Sequence, residues 1–391
     1  MELRKVPILI LTIVLSATAF GFIERWYTIQ EVIDASTNIL FGRVSLVDKV
    51  KQRVIIDVQR NVKGKSHFRQ IKVNVAVGDI RPGKSTPQML LEKVKPNLPA
   101  VVFYQDSGEG LAGLVYTNGI WFQIFGNKSR EWWNFSHIEI YMGRTYQGDT
   151  ERFQRIIEAM VSGKGWPELE DTVRVLVLTG HGSQLIVGQA NPNDPSLITT
   201  YELAALMRVR KVGRWNLFYK ATKDPKLPDL EGADILWIGF REMYRNGYHL
   251  EKETEARIRR FVKEGGVVIV SGQDYDEGVN LGTGWIPEPI KGVELNAMPV
   301  RSTGKLEKLL RHPRKVDVNR IVIDDAWRDL SGRYTIGLVT VNGGHAVLAQ
   351  LKYGDGLYLI TALANSDMAS VSANEPLIEN LIHYAVEWVR R

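Results

Sequence analysis

The sequence predicts an α/β protein in two parts, a small antiparallel β-barrel or sandwich followed by a parallel-sheet α/β domain. Three observations carry this. The length of 391 residues exceeds what one core usually serves. Residues 22–148 hold short runs rich in Val, Ile and Phe, several alternating with polar residues. From residue 172 the runs become continuously apolar and alternate with helical patterns, which reads as strands buried on both faces and joined by crossovers.

In the first part the expected strands are Asn38–Val47, Arg53–Val58, Gln70–Val77 and Ala100–Tyr104. Leu114–Tyr116 and Ile120–Phe125 read as a hairpin across Asn118–Gly119, a pair that tolerates the positive φ of a tight turn. Thr150 is expected to cap a helix with Phe153, Ile156, Ile157 and Met160 on one face, which Gly163 ends. The barrel or sandwich domain, with this terminal helix, spans 20–165. Gly165–Trp166–Pro167 and Glu168–Asp171 read as a linker to the second domain, 172–391.

In the second part the expected strands are Val173–Leu178, Trp215–Lys220, Ala233–Phe240 and Val267–Ser271, with a helix near Thr200–Arg210. Lys252–Glu264 reads as an amphipathic helix with Ile258, Phe261 and Val262 inward. Glu253/Arg257 and Glu255/Arg259 have the spacing of helical ion pairs, and Gly265–Gly266 stops the helix. Thr335–Val341, Ala346–Leu351 and Leu357–Ala362 form a meander, and Asn374 and Pro376 open a last helix.

Composition narrows the chemistry. Hydrophobic residues make up 44% and charged residues 24%, as in globular proteins and unlike disordered ones. There is no cysteine, which excludes disulfides, thiolate metal sites, a thiol nucleophile and a cysteine-linked lipid anchor. Arg4 and Lys5, the apolar run Val6–Leu15 and the small residues Ser16–Ala19 form a secretory signal pattern, 1–19, with cleavage expected after Ala19. The alternative is an uncleaved signal anchor, since Val6–Ile23 is long enough to span a bilayer. The chain is therefore expected to be exported, periplasmic or extracellular, without stable membrane insertion once the signal is cleaved. The net charge of +6 falls mostly in residues 1–170. Arg60, Lys63, Lys65, Arg69 and Lys72 read as a solvated face, so no nucleic-acid partner is expected.

The strand ADILWIGF, the helix ETEARIRRFVKEGG, the strand VVIVSGQ and the tail YGDGLYLITALANSD…NEPLIENLIHYAVEW resemble the class I glutamine amidotransferase-like family, in its trehalose-utilisation (ThuA-like) branch. The resemblance covers 172–391 and implies a flavodoxin-like parallel sheet. It also implies a nucleophile on the turn after VVIVSG and a histidine base after a later strand. Here the turn carries Ser271, Gly272 and Gln273, and the later strand ends in Asn365, Ser366 and Asp367. Thiol and base are both missing, so amidotransferase chemistry is expected to be absent. Asn38–Val47 and then RVIIDVQRNVKGK resemble the netrin-like, tissue-inhibitor-like β-barrel modules found in exported bacterial proteins, a resemblance of about 80 residues.

Several polar residues fall at the carboxyl edge of the predicted parallel strands, where such sheets bind ligands. Ser271 and His181 are the catalytic candidates, but the preferred reading is that Ser271 caps its turn and that His181 faces solvent or bonds to backbone. His181, Arg241, Glu242, Gln273, Asp274, Asp276 and Glu277 are the ligand-binding candidates. The three acids after Gln273 could hold a hard cation or sugar hydroxyls, but their spacing is not a calcium-loop pattern, so neither a metal site nor a cofactor is expected. Asp324–Asp325 and Asp329 form a second acidic group near Trp327, which reads as a solvated turn with a packed tryptophan in preference to a sugar site. Trp121, Trp132 and Trp133 read as barrel core in preference to a carbohydrate platform. The expected function is that of an exported, non-catalytic binding or assembly protein, with a carbohydrate or an envelope protein or polymer as partner. The alternatives are a carbohydrate- or ester-directed hydrolase and a cell-envelope scaffold.

Overall fold

The computed structural model describes residues 27–77, 80–81, 84–163, 166, 169–182, 200–245, 247–273, 283–295 and 298–391. The signal segment, and Asp274, Asp276 and Glu277, lie outside the described residues. The chain divides into two compact units, Met1–Pro167 and Glu168–Arg391.

The first unit begins with helix α1 (Ile29–Ala35), whose Thr28 and Glu31 form a reciprocal capping box. Strands β1 (Asn38–Asp48), β2 (Arg53–Lys63) and β3 (Gln70–Asn74) follow, then a ribbon of β4 (Ile80–Arg81) and β5 (Lys84–Ser85) and helix α2 (Thr86–Lys93). Strands β6 (Pro99–Ser107), β7 (Gly110–Thr117), β8 (Ile120–Asn127) and β9 (Trp132–Ile138) complete a closed barrel in the order β1-β2-β3-β9-β8-β7-β6. The barrel is not wholly antiparallel: β3 and β9 pair in parallel, Lys72 opposite Trp132. Seven strands impose this, because strict alternation of direction cannot close around an odd number. The β7–β8 hairpin turns on Asn118 and Gly119 with φ of 47° and 76°, the primed turn that matches strand twist.

Two apolar clusters fill this unit. Leu40, Val54, Ile71, Phe122, Trp133 and Phe135 belong to the barrel core. Phe103, Tyr116 and Trp121 pack instead against Phe153 of helix α3 (Thr150–Val161), with ring centroids 5.0–6.0 Å from Phe153. Trp121 and Trp133 are each 1% exposed, so both are core residues. Trp132 is half-buried beneath the Arg53 guanidinium, 4.7 Å from its ring centre. The cap of α3 is Asp149, not Thr150: Asp149 accepts from the Arg152 N–H at 2.7 Å, while Thr150 accepts from Asn118 N–H at 2.9 Å. The basic stretch is partly committed within the unit: Arg60 forks onto Glu158, Lys63 donates to Ile33 O and Lys72 pairs with Glu131.

The second unit carries β10 (Thr172–Leu178), α4 (Tyr201–Leu206), β11 (Lys211–Val212), β12 (Trp215–Thr222), β13 (Ile235–Ile238), α5 (Lys252–Lys263) and β14 (Val267–Val270). Then come β15 (Lys291–Val293), β16 (Val300–Ser302), α6 (Glu307–Arg311), β17 (Ala326–Arg328), β18 (Thr335–Thr340), β19 (Ala346–Tyr353), β20 (Gly356–Thr361) and α7 (Met368–Val389). The expected flavodoxin-like parallel-sheet domain is overturned by the sheet itself, which is mixed and eleven-stranded. Five strands, β12-β10-β13-β14-β20, run parallel. β11 is antiparallel at one edge, and β19, β17, β15, β18 and β16 extend the other by antiparallel pairing. The cause is the tight turn at Gly354–Asp355, which reverses the chain between β19 and β20. Gly354 has φ 59° and lies so close to Lys263 that a Cβ would sit 2.3 Å from its carbonyl oxygen.

Two helices differ from expectation. In α5, Arg257 reaches Glu231 at 2.6 Å, and Glu255 turns inward to accept from the Tyr248 hydroxyl at 2.7 Å, so the expected ladder of pairs along the helix is replaced. Helix α7 starts six residues before Asn374, capped by Asp367, which accepts from Ser370 N–H at 2.8 Å; Pro376 lies inside it.

Candidate functional site

The carboxyl ends of β10, β13 and β14 are where the sheet changes direction of growth, since β10 lies between β12 and β13. The loops leaving these strands carry His181, Arg241, Glu242, Ser271 and Gln273. They resolve into an inward set and an outward set.

Ser271 points inward and is 0% exposed. Its hydroxyl donates to the carboxylate of Glu202 and accepts from Asn365 Nδ2 at 3.3 Å. Glu202 Oε1 also accepts from Trp237 Nε1 at 3.0 Å and Asn365 Nδ2 at 2.7 Å, and Oε2 accepts from Phe240 N–H at 2.9 Å. Burial pushes the Glu202 carboxyl above the usual carboxylate range, opposed by hydrogen bonds from Ser271, Phe240, Asn365 and Trp237. The network continues through Asn365 Oδ1 to Asn374, which also bonds both backbone groups of Val322 and the carbonyl of Ala364.

The backbone around Ser271 is equally committed. Ser271 N–H donates to Ile238 O and Gly272 N–H to Leu363 O, so neither is free to face a developing oxyanion. Neither residue has positive φ, so the strained turn that presents a nucleophile is absent here. A Cβ on Gly272 would meet Leu363 O at 2.8 Å, and one on Gly239 would meet Leu178 O at 2.8 Å. Backbone lies against backbone at both glycines.

Gln273 is 0% exposed and wholly structural in its bonding. Its carbonyl accepts from Met243 and Tyr244 N–H at 2.9 and 3.1 Å, and its amide donates to Gly239 and Ser271 O at 3.0 and 2.9 Å. Glu242 is 2% exposed and clasps the loop after β10, accepting from His181 N–H at 2.9 Å and Gly182 N–H at 3.0 Å.

The outward set is smaller. The His181 ring is exposed and stands edge-on to His249, centroids 5.8 Å apart. Arg245 donates to His181 O at 3.3 Å and His249 Nε2 contacts Arg245 O at 3.0 Å. Arg241 holds the left-handed conformation, φ 59°, and its guanidinium reaches Asp324 at 3.0 Å. No hydrogen bond joins Ser271 to His181, so the expected catalytic candidates are not brought together.

The second acidic group does not form a sugar platform. Trp327 is 1% exposed and donates to Thr361 O at 3.1 Å. Asp324 serves Arg241, Asp325 accepts from Leu295 N–H, and exposed Asp329 pairs with Lys291, which holds its carboxyl below the usual range. Among the described residues no group of three or more His, Asp or Glu is placed to hold a metal ion.

The sequence reading missed Glu202, Asn365 as its partner, and His249. Glu202 had a signal: it is the one charged residue in Tyr201–Met207, otherwise dominated by apolar side chains. A lone acid on such a segment needs buried donors.

No family model and no curated protein matches the sequence. Among solved structures, the chain is similar to the β-galactosidase from Rahnella sp. R3, at 15% identity over 64% of this chain and 35% of that one, with a TM-score of 0.36. It is also similar to the exo-β-1,4-mannosidase Op5Man5 from Opitutaceae bacterium strain TAV5, at 11% identity over 60% and 38%, TM-score 0.31. The cytoplasmic protein STM1381 from Salmonella typhimurium LT2 aligns at 15% identity over 56% of this chain and 96% of that one, TM-score 0.32. The chain thus spans little more than a third of the two glycosidases, and likeness of this degree carries no argument about fold or function.

Proposed function

We propose that this chain is an exported, non-catalytic binding or assembly protein. The observation that carries the reading is the sealed turn at Ser271: a fully buried hydroxyl bound to Glu202, with the Gly272 N–H already given to Leu363 O. A nucleophile needs a base, an oxyanion site and access for the reacting atom. Here the base position is taken by a structural carboxylate, the oxyanion position by a sheet-edge bond, and access by packed backbone. The amino-terminal signal pattern supports export, and the sequence has no cysteine to serve as a thiol nucleophile. Among the described residues of this edge, His181 is open to solvent, with His249 and Arg245 beside it, a surface suited to a polar or anionic group of an envelope polymer or protein.

The test is a panel of chromogenic amide, ester and glycoside substrates presented to the parent and to Ser271→Ala. Neither is expected to exceed the buffer rate. Turnover by the parent that Ser271→Ala abolishes overturns the reading. In parallel, retention on immobilised envelope polysaccharide is expected to fall in a His181→Ala, Arg245→Ala double variant; equal retention removes that surface from the binding site.

A further inference from the structure

We propose that the β1–β2 tip of the barrel, with the groove beside it, is a docking surface for an anionic lipid bilayer. The inference concerns the first unit and stands apart from the role of Ser271.

The tip is built to hold its shape. Asp48 accepts from the Val50 N–H at 3.0 Å and the Lys51 N–H at 2.8 Å, and Gln52 turns the chain with φ 49°. This fixed turn presents Val50 at 93% exposure, with Leu46 at 44% on the strand leading to it. A polar residue would serve such a turn equally well, so the fold gives no reason for a valine there. Beside the tip lies an open groove of about 500 Å³, lined on its apolar side by Leu46, Val47, Leu91, Val94 and Pro96.

Charge selects the occupant. Residues 46–53 and 91–96 carry Lys49, Lys51, Arg53, Lys93 and Lys95 against Asp48 and Glu92. The Asp48 carboxylate is already engaged by the turn. Several cations elsewhere in this unit have acids beside them, Arg43 with Glu151, Arg60 with Glu158, Lys72 with Glu131 and Lys128 with Asp106, though exposed Lys65, Arg69 and Arg130 do not among the described residues. Lys49, Lys51, Lys93 and Lys95 have no such carboxylate partner among the described residues. An exposed valine flanked in the chain by Lys49 and Lys51, next to a groove edged by Lys49 and Lys95, suits a surface that is negative at the headgroups and apolar beneath. A nucleic acid would satisfy the cations but leave Val50 and Leu46 in water.

The chain has no cysteine, so Val50→Cys introduces a unique thiol for a polarity-sensitive dye. Lys65→Cys, exposed beyond the far end of β2, is the control. The full chain is mixed with vesicles of phosphatidylcholine alone, or with phosphatidylglycerol added. Expected are a blue shift and rise in emission at position 50 only, on the anionic vesicles only, reversed by high salt. Lys49→Gln with Lys51→Gln is expected to weaken that partition about thirtyfold. Circular dichroism checks that each variant is folded, and Val50 is exposed enough for the substitution to be tolerated. The amino-terminal apolar run could tether the chain to either vesicle, but without loading position 50. An unchanged dye at position 50 on chain that floats with the anionic vesicles overturns the proposal. So does an equal change at position 65 or on neutral vesicles, or one that survives loss of the two lysines.

Discussion

Glu202 shows how a single side chain organises the carboxyl edge of the sheet. An ionised carboxylate only accepts, and this one is met by four donors from three separate segments: β13 and its exit, the Ser271 turn and the end of β20. Ser271→Ala removes one donor and leaves Asn365 Nδ2 without its second acceptor. The expected cost is about 1–3 kcal/mol of unfolding free energy, read from urea titration, with no change in any catalytic rate. A neutral effect on stability would mean that Ser271 is not part of the structural network. The serine turn and the absence of a histidine after the later strand were legible, because both are local. Glu202 was visible only as a lone acid on an apolar segment; its donors were not, because they lie 35 to 163 residues away in sequence.

Helix α7 carries the clearest lesson at the level of elements. Asn374 and Pro376 suggested a beginning, since proline is common at the first helical position. The helix instead begins at Met368, because Asp367 and Ser370 cap each other reciprocally. Asn374 is then free to bond the backbone of Val322 and Ala364 from inside the helix, at 0% exposure. The cap predicts a pH dependence. The Ser370 N–H and further hydrogen bonds hold the Asp367 carboxyl below its ordinary value of 3.8, so it is bound more tightly ionised in the folded chain. Stability from a depressed carboxylate is present above the unfolded value and is lost as pH falls through the folded one. Asp367→Ala is therefore expected to cost about 1 kcal/mol at neutral pH, moderated because the group is largely solvent-screened. The difference between parent and variant should shrink below pH 3.8, as followed by circular dichroism melts. Asp367→Asn, which keeps the cap without the charge, should retain most of the stability and flatten the pH response.

Across the whole molecule, the two-part organisation and most strands could be read from local patterns, but strand direction could not. The meander of β18, β19 and β20 was visible in its turns; that it joins the same sheet as β10, β13 and β14 depends on β14 pairing with β20 across ninety residues. The parallel seam of β3 and β9 is equally non-local. Without a disulfide, these distant pairings rest on packing and hydrogen bonds alone. Ile269 tests this in the second unit. It lies in the middle of β14, opposite Trp237 of β13 and Leu359 of β20, at 0% exposure. Ile269→Ala removes three buried carbons where neighbouring strands hold the backbone in place, so the site cannot collapse around the loss. The expected cost is about 2–5 kcal/mol in urea unfolding, with faster amide exchange across β13, β14 and β20. A cost below about 1 kcal/mol would mean that the parallel part of the sheet is loosely packed around β14, and that the sheet draws its stability from elsewhere.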